Sequence, residues 1–159
     1  MKNLSYFMRK ELQTEEVVTV PGPATIKDEN GEVVNFQIKR LKMDRVNEIF
    51  AAYRKSEVYM DKKKKQPYVV NGKVVMKETN DTNKAFRHII AEALVYPDLH
   101  DEKLMEFFDC VDVTDMPVKM FTAEEYKEVA ELVNKVLGIG DEDDTEDEEE
   151  KEDLESAKN

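Results

Sequence analysis

The chain has 159 residues, 40% of them hydrophobic and 38% charged, with 24 Lys plus Arg against 36 Asp plus Glu, a length that suits one domain with a single modest core. Eleven acids and one base fall between residues 141 and 153, so −10 of the formal −12 lies there and the first 140 residues sum to −2. This split disfavours a general nucleic-acid footprint and divides the chain into a balanced domain, 1–140, and an acidic tail, 141–159, expected to be disordered.

Other classes fall on the same grounds. No apolar run approaches the ~18 residues of a membrane span, and charges interrupt Met1 to Leu12 where a signal peptide needs an unbroken apolar stretch. One cysteine, Cys110, forms no internal disulfide and lacks a second thiol for a zinc or redox pair. The reducing cytoplasm is the expected compartment.

In chain order, Leu4, Phe7, Met8 and Leu12 fall on one side of a predicted helix over Asn3 to Leu12, which should dock on the body. Glu15 to Val20 reads as a β-branched strand stopped by Pro21-Gly22-Pro23. Ala24 to Lys27 and Val33 to Arg40 flank the turn Asp28-Glu29-Asn30-Gly31, predicting an antiparallel hairpin that buries Val34, Phe36 and Ile38. Helical spacing then places Val46, Ile49, Phe50 and Tyr53 on one face of Asp44 to Lys55. A basic loop follows, and Asn71-Gly72 joins Tyr68-Val69-Val70 to Lys73-Val74-Val75-Met76 as a second hairpin with a type I′ turn.

Asn80-Asp81-Thr82 offers capping oxygens to a central helix whose stripe is Phe86, Ile89, Ile90, Ala93 and Leu94, ended by Pro97. Asp101 and Glu102 open a third helix, expected to bury Leu104, Phe107, Phe108 and Val111. Pro117 starts a short helical piece carrying Val118, Met120 and Phe121. The last helix has a capping box in Thr122-Ala123-Glu124-Glu125, a stripe of Tyr126, Val129, Ala130, Val133 and Leu137, and a left-handed stop at Gly138. The fold class is α+β and mostly helical, with small antiparallel hairpins near the N-terminus and mid-chain packed with four to five helices.

The chemical inventory points away from catalysis. No pair of carboxylates is set in an apolar context that would drive their pKa values apart, and no serine sits in a nucleophile elbow. His88 and His100, twelve positions apart, lack the clustered partners of a metal site, and Cys110 beside a Phe pair reads as a packing residue. Gly138-Ile139-Gly140 follows a helix and lacks the Lys-Ser/Thr of a phosphate loop. The acidic run resembles a calcium loop only superficially, with Glu146 where the turn needs Gly and Glu148 where an apolar anchor belongs. No cofactor and no metal are expected. Eight bases and two acids between Arg54 and Lys77 give a local +6 around Lys62, Lys63, Lys64 and Lys65, enough to attract phosphates or an acidic protein surface. Nucleic acid is the weaker reading beside a solvated loop before a hairpin, one that can dock the chain's own acidic tail, because no stacking platform or groove-reading motif accompanies the lysines.

The order of features, Ile26-Lys27-Asp28-Glu29-Asn30-Gly31-Glu32, a helix, a basic loop, Thr82-Asn83-Lys84-Ala85-Phe86, Val95-Tyr96-Pro97-Asp98-Leu99 and the closing Ser156-Ala157-Lys158-Asn159, resembles the XkdN-like family of phage tail assembly chaperones. The resemblance covers nearly the whole chain. It implies a non-enzymatic helper in the host bacterial cytoplasm, absent from the finished tail. Such a helper binds the tape measure protein, keeps it soluble and helps recruit tail tube protein, with several copies along one client. The Asn71-Gly72 hairpin and the length of the acidic run are additions to the family pattern. Apolar residues least needed internally, Phe107, Phe108, Met120 and Phe121, are the candidate client contacts, and Lys62 to Lys65 the candidate electrostatic patch. A small nucleic-acid-binding regulator using those lysines is the alternative.

Overall fold

A computed structural model describes residues 2–10 and 15–140. The acidic run and its calcium-loop resemblance lie outside the described residues. The fold is α+β, with five α-helices and several small antiparallel strand pairs among the described residues.

The predicted N-terminal helix is a single 3-10 turn at Leu4–Phe7, capped by Asn3. Leu4, Tyr6, Phe7 and Met8 are exposed, so the turn does not dock on the body, and Leu12 lies outside the described residues. A stripe of four apolar residues over so short a segment gives too little burial to hold a helix without a partner surface.

β1 (Val17–Pro21) pairs antiparallel with β2 (Asn35–Lys39), Val18 facing Ile38 and Val20 facing Phe36. Phe36 and Ile38 are buried as expected, beside exposed Asn35 and Gln37 and half-buried Lys39, whereas Val34, just before the strand, is only half-buried. The partner differs from the expectation. Ala24 to Lys27 contributes one bridge, Lys27 to Val33, around the Asp28 turn, and the longer register belongs to β1. Gly22 lets the chain after β1 pass close against Phe36 and Val34, because a Cβ there would sit 2.7 Å from the Phe36 ring and 2.8 Å from the Val34 carbonyl oxygen.

α1 (Met43–Ala52) turns Val46 and Ile49 into the core and ends three residues before the predicted Lys55. α2 (Thr82–Ala93) is the centre of the molecule, capped by Asp81, whose carboxylate accepts the Lys84 amide at 3.1 Å. It buries Ala85, Ile89, Ile90, Ala91 and Ala93. Alanines on this stripe let neighbouring elements approach closely, while the two isoleucines supply volume.

The spacing predicts a helix whose apolar stripe ends at Leu94 and which Pro97 stops. Instead the chain leaves the helix at Leu94 and forms a short strand, Leu94–Tyr96, paired to β2. The sheet is therefore three-stranded with β2 in the middle. The Tyr96–Pro97 peptide is cis, and Leu99 just beyond it is fully buried.

α3 (Glu102–Phe107) begins at Asp101, whose carboxylate accepts the Leu104 amide at 3.0 Å. Leu104 and Phe108 lean on the core, but Phe107 is 81% and Val111 96% exposed, against the expectation that both are buried. The helix has only six residues, and its stripe is wider than the face the body covers. α4 (Met116–Met120) carries Pro117 in its first turn, with Met116 and Pro117 buried. α5 (Ala123–Leu137) has the reciprocal Thr122–Glu125 capping box and stops at Gly138 with φ 71°. Val129 and Val133 complete the core. Arg40 locks the sheet to this end, its Nε donating to the Val136 carbonyl at 3.1 Å and its guanidinium meeting Glu16 at 2.9 Å.

Candidate functional site

Between α1 and α2 the chain leaves the body and returns. β3 (Arg54–Val58) and β8 (Met76–Asn80) form an antiparallel ladder whose base is closed by the Asp81 amide donating to the Tyr53 carbonyl at 3.2 Å. Above it the ladder divides. β4 (Met60–Asp61) and β5 (Gln66–Pro67) carry the four lysines, and β6 (Val69–Val70) and β7 (Lys73–Val74) carry the Asn71-Gly72 turn. Asn71 and Gly72 have φ of 52° and 75°, the positive pair that a type I′ turn requires.

Three backbone hydrogen bonds join the ladder to the two hairpins. Tyr59 N–H donates to the Val75 carbonyl (2.8 Å), Val75 N–H to the Tyr68 carbonyl (2.8 Å) and Tyr68 N–H to the Tyr59 carbonyl (2.7 Å). The three bonds form a closed ring in which each residue gives and receives once, so no backbone group at the branch point is left unpaired. Tyr59 and Tyr68 also meet edge to face, with ring centroids 5.8 Å apart.

This arm contributes nothing to the core, since no residue from 54 to 80 is buried. Val58, Tyr59, Met60, Tyr68, Val69, Val70, Val74 and Met76 instead stand 42% to 54% exposed. Two-stranded ribbons of this kind are marginal in isolation, and apolar side chains on an open edge invite a partner. Lys62 to Lys65 sit at the turn of the β4–β5 hairpin, all exposed. Asp61 organises that turn: its carboxylate accepts the Lys63 amide at 3.0 Å and its carbonyl the Lys65 amide at 2.8 Å. The patch is thus presented at a defined place beside apolar surface.

Of the other candidate contacts, Phe107 is open to solvent and Phe108 lies half-buried beneath it, ring centroids 4.9 Å apart. Met120 is partly buried against the core. Phe121 is a core residue, 5% exposed and 6.2 Å from the Phe36 ring, and presents no surface. Cys110 is buried, its Sγ donating to the Asp112 carbonyl.

A polar clasp fastens the root of the arm. Arg45 of α1 donates to both oxygens of Glu92 on α2 at 2.8 and 3.0 Å and to Glu48 at 3.0 Å. His88 lies 3.4 Å from Glu92, and its Nδ1 is 2.7 Å from the hydroxyl of Tyr53, where the arm begins. Burial alone would raise the Glu92 carboxyl, but the hydrogen bonds and charge of Arg45, with His88 and Lys39, hold it below the ordinary carboxylate value. The unfolded chain therefore binds this proton more readily than the folded one. The clasp's contribution is complete above the unfolded Glu value of ~4.3 and is lost as pH falls through the lower folded value. Glu92→Gln should melt earlier than the parent at neutral pH, by a stability difference of about 1 kcal/mol for a pair this exposed. Thermal melts from pH 7 to pH 3 should show the two proteins converging on the acid side, and a constant gap would refute the assignment.

Among the described residues no group of His, Cys, Asp and Glu is placed to hold a metal ion, and no helix is long and apolar enough to cross a membrane. The α+β arrangement is shared with the crystal structure of the protein yqbN, with a TM-score of 0.62 at 20% identity over 88% of this chain and 99% of that one. The class is thus an α+β body with a projecting β-arm. The model of the phage XkdN-like tail assembly chaperone proteins matches residues 4–155, and the chain belongs to that family. Similar proteins include the phage-like element PBSX protein XkdN of Bacillus subtilis (strain 168), 27% identical, and YqbN of the same strain, 28% identical. Each alignment covers 91% of this chain and 89% of the relative.

Proposed function

We propose that the client of this tail assembly chaperone is the tape measure protein, which it binds in the host cytoplasm and keeps soluble until tail tube subunits are recruited around it. The observation that carries this reading is the arm: a 27-residue excursion from Arg54 to Asn80 that serves no internal packing and displays eight half-open apolar side chains. A tape measure chain is long, helical and apolar in places, and it aggregates unless its stripes are covered. Covering them needs an exposed apolar surface on a body that is stable without it. The arm supplies the main surface and Phe107 a second, on the body. Several copies then line one client, and the acidic residues 141–153 charge the complex against coalescence. The role is one of binding, without catalysis or cofactor.

Co-expression tests this directly. The tape measure protein of the same phage should move from the pellet to the soluble fraction when this protein is present and co-purify with it. Equal insolubility with and without it would sink the reading. The nucleic-acid alternative rests on the charge of Lys62 to Lys65, and it would show as retention on DNA that salt abolishes.

A further inference from the structure

We infer that the basic arm is the docking site for the chain's own acidic segment, residues 141–153, bound within the same molecule. The charges are complementary and unusually separated along the chain. Residues 54–77 carry eight bases and two acids, residues 141–153 eleven acids and one base. The remainder, residues 1–53 and 78–140, has no comparable basic stretch to offer. Lys62 to Lys65 are all exposed at one turn, and Arg54, Lys55, Lys73 and Lys77 are exposed along the ladders that lead to it, so an extended acidic strand meets cations over the length of the arm.

Reach permits it. The described chain ends at Gly140 beside the last turn of α5, which Arg40 ties to the start of α1. The ten residues of α1 rise ~15 Å to the root of the arm at 1.5 Å per residue. From that root to Lys62 is about 30 Å of extended chain, so the path sums to ~45 Å, the most that thirteen extended residues span, and the acids nearest residue 153 are the ones that reach the four lysines. Tethering gives the segment an effective concentration on the order of millimolar, so even a weak ionic contact is populated without a second molecule. Because these contacts lie at the surface, they weaken as the Debye length shrinks. This inference holds whichever client the arm takes.

The test uses the full chain, with Cys110→Ser, which keeps a donor for Asp112, and a nitroxide on Ser156→Cys. At ~20 mM salt the amide signals of residues 62–65, 73 and 77 should lose at least about half their height relative to the reduced label. They should recover at about 1 M salt, where the Debye length is ~3 Å. Changing Lys62 to Lys65 to Ser, which touches no core residue, should relieve the loss at the arm tip, and so should exchanging the acids of 141–153 for their amides. Undisturbed arm signals at low salt, or losses that persist at 1 M, would overturn the inference. So would losses of the same size when label and isotope enrichment are carried by different copies, which would place the contact between chains.

Discussion

Ile89→Ala is expected to lower the stability of the protein by about 3 to 4 kcal/mol, within the 2–5 kcal/mol seen when a large aliphatic is cut to Ala in a well-packed core. The side chain is fully buried. It sits in the middle of α2, the helix that meets α1, α5, α4 and the three-stranded sheet. Neighbours on so many sides cannot all collapse into the space left, so the transfer loss and the cavity add. For a domain whose whole stability is about 5–15 kcal/mol this is a large fraction, and the midpoint should fall by roughly 10 °C. Phe107→Ala, which uncovers no internal space, should stay within about 0.5 kcal/mol of the parent. A thermal or urea melt of the pair decides it: equal midpoints for Ile89→Ala and the parent would mean that α2 is not the centre of the core.

Excising the arm should have the opposite profile. Replacing Arg54 to Asn80 by a short Gly-Ser linker joins Tyr53 to Asp81, whose backbones already share a 3.2 Å hydrogen bond. The core loses no residue, and a shorter loop costs less entropy to close, so the melting midpoint should stay within a few degrees of the parent. Rescue of the tape measure protein in co-expression should be abolished, as it would be for a body that cannot fold. The melt separates those two causes. If the armless protein rescues its client as well as the parent does, the client surface lies elsewhere, with Phe107 the first place to look.

The elements legible in the sequence are those whose local chemistry and burial agree. The Thr122–Glu125 box, the stripe of α5 and Gly138 specify that helix from start to stop, Asp81 does the same for the start of α2, and Asn71-Gly72 fixes one hairpin. The base of the arm was not legible because β3 and β8 are solvated on nearly every residue. Periodicity reports which face is buried, and a ribbon with no buried face has no period to detect. The strand after α2 was hidden for the converse reason: Leu94 and Val95 continue an apolar stripe, and nothing local tells a helix residue from a strand residue there. At Phe107 and Val111 the pattern placed apolar residues on a face but could not say whether the body extends far enough to cover it.

The arm joins the body where Tyr53 meets Asp81, and among the described residues every buried one lies outside it. On the proposed reading the larger client surface and the core therefore fall on separate stretches of sequence, with Phe107 on the body the exception. A substitution in the arm leaves the packing of the body as it is, a modularity that a protein with its binding groove inside its own core does not have.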